Sequence, residues 1–138
     1  MDLDQQYQIY AQEKRNPDKN LSHHEIRKLL GNTASNFSNS KESILWLAEA
    51  LTDDSKKWFV ADLMKKINPI PKELLNNLIY AALLEKDPSN NRFFIGPCVK
   101  TFGQRIVTNI VYSYKFDQAV ISNGGIEPVL YWVPSYAV

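Results

Sequence analysis

The strongest constraint on the fold is a period of 3.6 residues over one long stretch. Val99, Phe102, Gly103, Ile106, Val107, Ile110, Val111 and Tyr114 recur at i, i+3, i+4, i+7, i+8, i+11, i+12 and i+15. Only a helix gathers those positions on one face. By composition, residues 106–114 (IVTNIVYSY) would suit a strand. A half-buried strand, however, alternates apolar and polar residues, and here the apolar residues stand in adjacent pairs four apart. The pattern predicts a helix over about 98–116.

The rest of the chain reads the same way. Leu3, Tyr7 and Tyr10 share one face of a polar helix over 2–15, which Asn16-Pro17-Asp18 breaks. Ser22 with Glu25 three residues on has capping-box spacing, and Gly31-Asn32 supplies a stop, so 32–40 is expected to be a loop. Ser40 can cap a helix that is apolar nearly all round, from Ile44 to Leu51. Asp53-Asp54-Ser55 ends that helix and caps the next, whose stripe is Phe59, Val60, Leu63, Met64 and Ile67. Pro71 suits the first position of a helix running to Lys86. Gly96-Pro97 stops the short piece 92–97. Asn123-Gly124-Gly125 ends a segment from Asp117, and Ile126–Trp132 gives a last turn or two before Pro134. The fold class is all-α.

Helix starts near 41, 71 and 98, joined by tight Asp/Pro/Gly turns, suggest a helical repeat array. The stretch Leu51-Thr52-Asp53-Asp54-Ser55-Lys56-Lys57-Trp58-Phe59-Val60-Ala61-Asp62-Leu63 resembles HEAT-like repeats, with an acidic turn between two helices and basic residues beside an apolar stripe. Asn91–Val99 looks like a degenerate second copy of 57–63. The resemblance spans about residues 40–133. It implies a short α-solenoid of antiparallel helical hairpins at 40–138, with an N-terminal helical segment at 1–39. It also implies a binding scaffold, since HEAT-like folds mostly bind other proteins through a concave face; a few are enzymes.

Charge limits the partners. The sequence holds 16 basic and 15 acidic residues, and 1–39, 40–86 and 87–138 carry 5 and 5, 7 and 7, and 4 and 3 of them. No segment is a basic arm, so nucleic acid is not an expected partner. No apolar run approaches the roughly 20 residues of a membrane span. A single cysteine excludes an internal disulfide, and the polar N-terminus is unlike a secretory signal, so a cytoplasmic setting is expected.

Candidate chemistry is sparse. His23 and His24 are adjacent, so on a helix they point about 100° apart and cannot share a metal as an i, i+4 pair does. No metal, cofactor or catalytic residue is assigned. Cys98 reads as a buried thiol or as one activated near a helix start. Trp58 and Asp62, one turn apart, are either packing and ion-pairing residues or a groove for a cationic or flipped base. HEAT-like DNA glycosylases are similar in using aromatic and acidic residues in a groove. Arg92 and Arg105 either pin turns or line a binding groove. The leading expectation is a non-enzymatic scaffold with a protein partner, and the alternative is a small glycosylase-like nucleic-acid-processing enzyme. Residues 126–138 carry one charge, so they either fold back over 98–116 or form a homo-oligomeric contact.

Overall fold

The computed structural model describes residues 2–137, and all regular structure among them is helical. The chain forms two compact units that divide between Ile67 and Asn68. The boundary expected at 39/40 lies inside the first unit, in the loop before its third helix.

The first unit holds α1 (Leu3–Lys14), α2 (Lys19–Ser35), α3 (Lys41–Ala50) and α4 (Lys56–Met64). Side-chain oxygens satisfy the free N–H groups at the helix starts. Asp2 caps α1 and Ser40 caps α3, as its place before the apolar run predicts. Asp53 accepts from the N–H groups of Ser55 (2.9 Å) and Lys56 (2.8 Å), starting α4. Those bonds hold its carboxyl below the usual carboxylate range. The α2 cap differs from expectation. Asp18 accepts from Leu21 N–H, while Ser22 is buried inside the helix and its hydroxyl donates to the Glu13 carbonyl. An Asp directly after the proline break offers the earlier cap. Gly31 does not stop α2, which runs on to Ser35. A helical glycine costs only about 1 kcal/mol against alanine, and Leu30 and Thr33, both buried, hold the turn around it.

The core of this unit is aromatic. The Phe59 ring has no exposed surface. Tyr7, Tyr10 and Trp46 surround it with centroids at 5.9, 5.1 and 5.9 Å, in edge-to-face arrangements. The tyrosines come from α1, Trp46 from α3 and Phe59 from α4, so one cluster ties three helices together.

The second unit begins with a 3-10 turn (Lys72–Leu74) and continues through α5 (Leu75–Leu84), α6 (Arg92–Phe102), α7 (Gln104–Ser113), α8 (Gln118–Asn123) and α9 (Ile126–Tyr136). α5 packs against all four later helices, which explains why Leu78, Ile79, Ala82 and Leu83 have no exposed surface. The helix expected over 98–116 is two helices. Gly103 separates α6 from α7 at φ +87°, a conformation L side chains rarely adopt. The break re-phases the stripe. Val107 and Val111 are buried, but Ile106, which the single-helix period would bury, is 45% exposed.

Two other breaks fall elsewhere than the sequence suggests. Gly96 and Pro97 lie inside α6, both buried. The missing side chain at Gly96 makes room for the Tyr136 ring, which an added Cβ would approach to 2.9 Å. α9 is also longer than a turn or two and includes Pro134. It packs on both α6 and α7, so the C-terminal segment folds back over the 98–116 region.

Candidate functional site

The turns around α5 build a largely apolar groove. Asp117 caps α8 and also accepts from the Tyr80 hydroxyl of α5 at 3.1 Å. Asn123 donates its side-chain N–H groups to the Leu83 (2.7 Å) and Glu85 (3.0 Å) carbonyls, capping the C-terminal end of α5. Gly124 then reverses the chain in the left-handed conformation, with φ +64°. Gly125 lies directly against the Leu83 backbone, so closely that a Cβ there would sit 2.8 Å from the carbonyl carbon. The start of α9 is thereby fixed beside the turn that follows α5. That turn is itself closed by Asp87, which accepts from the Ser89 N–H at 2.9 Å and the Ser89 hydroxyl at 2.7 Å.

Between these two turns runs a groove of about 580 Å³, lined by Pro88, Gly124, Glu127, Pro128, Tyr131 and Trp132. A smaller cavity of about 210 Å³ adjoins it through Gly124 and Glu127 and reaches Ile121, which is 52% exposed. Glu127 is the one charged residue lining either. The Tyr131 and Trp132 rings stand 5.1 Å apart at 84°. The Trp132 indole N–H donates to the Pro88 carbonyl at 2.9 Å, which fixes the ring. Tyr131 is 71% exposed.

Arg92 flanks this groove. Its guanidinium lies over the Trp132 ring at 5.1 Å and over Phe93 at 4.9 Å. Arg105, on the exposed side of α7, lines none of the cavities described here. Sequence reasoning singled out Arg92 but missed Tyr131, Trp132, Pro88 and Glu127. The available signal was the low charge of 126–138, which the groove shares.

Trp58 and Asp62 lie in the first unit, one turn apart on α4. Asp62 accepts from the Tyr10 hydroxyl at 2.7 Å and pairs with Lys65 at 3.7 Å. Trp58 is half-buried, with the Lys57 ammonium 5.1 Å from its ring. Neither residue lines the two cavities of about 220 and 470 Å³ that border Trp46, which are edged by polar residues such as Asp53 and Glu42. Asp62 thus ties α4 to α1. Burial, together with the neighbouring Asp62 carboxylate, pushes the Tyr10 phenol well above its ordinary value of 10.0.

The Tyr10 phenol makes folding sensitive to alkaline pH. The neutral phenol is the folded form, so its stabilisation is full below about pH 10 and is lost as pH rises above that, because the unfolded chain ionises first. Tyr10→Phe is expected to lower stability at neutral pH by about 1.5–3 kcal/mol, as for a lost hydrogen bond to a charged group. It should also flatten the alkaline limb of a pH series of thermal melts. A variant with wild-type stability at both pH 7 and pH 11 would contradict this role.

Cys98 has no exposed surface and its thiol contacts the Phe94 carbonyl oxygen at 3.4 Å; burial pushes its pKa up, away from the reactive thiolate. His23 and His24 are exposed on α2, and no group of three or more metal-ligating side chains occurs among the described residues. No described helix is long and apolar enough to cross a membrane. The chain matches no protein-family model, no curated protein and no solved structure.

Proposed function

We propose that the chain is a non-enzymatic helical scaffold of HEAT-like construction that binds another protein, with the α8–α9 groove of its second unit as the docking surface. One observation carries this reading: the groove combines two aromatic rings and two prolines with a single charge. Protein interfaces are enriched in aromatic residues and depleted of charge at their centres. Trp and Tyr are among the residue types enriched at the hot spots that alanine scanning finds in such contacts, and here a rigid Trp132 stands beside an exposed Tyr131. A nucleic-acid site would instead need a positive footprint, and the groove's lining charge is a carboxylate. A cytoplasmic setting belongs to the same reading, since a chain with a single cysteine forms no internal disulfide.

The reading is tested by placing a photo-activatable amino acid at position 131 and, as a control, at position 45. Leu45 is 59% exposed but belongs to the first unit. Crosslinking to a defined protein from 131 and not from 45 is the expected outcome.

A further inference from the structure

The groove and its surroundings carry chemistry that fits one occupant. Glu127 and Tyr131 stand one turn apart on α9 and so share a face. The Tyr131 ring meets that of Trp132 at 5.1 Å, and Trp132 in turn carries the Arg92 guanidinium at 5.1 Å. An anion, two aromatic rings and a cation therefore follow one another across the patch. Glu127 is exposed, and among the described residues neither it nor Arg92 forms an ion pair within the chain. The Arg92 Nε is buried without a hydrogen-bond partner, and the guanidinium lies stacked against the Phe93 and Trp132 rings. Such a sequence of groups becomes self-complementary when turned by 180° about an axis near the rings. In a two-fold contact each residue meets its counterpart's partner. The patch also carries both halves of a steric fit, a protruding Tyr131 and an open groove between Pro88 and Pro128.

We propose that the occupant of the groove is a second copy of this chain, docked about a two-fold axis. Tyr131 of each copy enters the groove of the other, and Glu127 of one faces Arg92 of the other. The inference rests on the docking role proposed above and names its partner. Stable interfaces engage roughly 20–30 residues a side, and the groove offers far fewer. The dimer is therefore weak and reversible, with a dissociation constant on the order of tens of micromolar.

The test is sedimentation velocity of the purified full chain from about one to several hundred micromolar, with circular dichroism confirming helix content for each variant. Wild type should shift from monomer to dimer across that range. Glu127→Arg and Arg92→Glu should each stay monomeric, because each sets like charges against one another. The chain carrying both changes should dimerise again. Should Arg92→Glu lose helix content, Tyr131→Lys replaces it as a second variant expected to be monomeric. A wild-type chain that is monomeric throughout overturns the proposal, as does a dimer that Glu127→Arg leaves intact. If wild type is monomeric yet position 131 still crosslinks to a different protein, the docking role stands and only the second copy is wrong. If position 131 also captures nothing, both readings fail.

Discussion

Gly125→Ala should lower the stability of the second unit by about 3 kcal/mol or more, at the upper end of overpacking costs. Gly125 has an ordinary negative φ of −79°, so conformational freedom is not the reason it is glycine. The reason is contact. Its Cα lies against the backbone of Leu83, and an added methyl would meet the carbonyl oxygen, carbonyl carbon and Cα of that residue. Those atoms cannot rotate aside as a side chain can. They belong to the last turn of α5, whose inward face has no exposed surface, and Asn123 is bonded to the same carbonyl. Relieving the overlap requires α9 to lift from α5, which also opens the groove between Pro88 and Trp132. Thermal melting should show a fall on the order of 10 °C. Gly124→Ala is a useful comparison, since an added Cβ there meets nothing within 4 Å and the cost is that of a left-handed alanine alone. Equal melting temperatures for Gly125→Ala and wild type would show that the close approach is absent.

Phe59→Ala is expected to have a similar effect on the first unit, about 3–5 kcal/mol for a fully buried ring. The substitution removes the hub of the Tyr7–Tyr10–Trp46 cluster and leaves three rings without their common partner. Edge-to-face pairs contribute about 0.5–1.5 kcal/mol each beyond area burial, so the loss should exceed that of a typical aliphatic truncation. Phe59→Leu should restore part of it. Denaturant unfolding monitored by Trp46 and Trp58 fluorescence gives the measurement, and a loss below about 1 kcal/mol would contradict a shared aromatic core.

How far the sequence foretold this structure depended on whether a signal was local. Ser40 and Asp53 could be read as caps because a capping side chain acts within three residues. The buried stripes of α4 and α5 could be read because each helix follows one uninterrupted period. The period failed at the break between α6 and α7. Val99 before Gly103 and Val107 after it both fit 3.6 residues, so a break with a positive φ left no gap in the pattern. Pro97 was misread in the other direction, since tertiary packing of α6 against α5 and α9 overrode its local preference to end a helix. Ser22 was misread as a cap because Asp18 offered a competing carboxylate four residues earlier.

The site was harder to foresee, because it is assembled from turns. Pro88 and Trp132 are 44 positions apart, and they meet through long-range contacts such as the bonds from Asn123 to α5 and from Trp132 to Pro88 and the close approach of Gly125 to Leu83. No local motif records such a meeting. Asp62 shows the converse. Its place one turn from Trp58 on α4 suggested a groove, yet a tyrosine 52 residues away claims its carboxylate.

The docking role of the α8–α9 groove is tested most directly by photocrosslinking from position 131 in a native-host lysate and with the purified chain, compared with position 45. The account predicts a discrete crosslinked species from 131 that Trp132→Ala abolishes, none from 45, and a species of twice the chain mass when the purified protein is used alone. Indistinguishable crosslinking from the two positions, or a species from 131 that Trp132→Ala leaves unchanged, would contradict it.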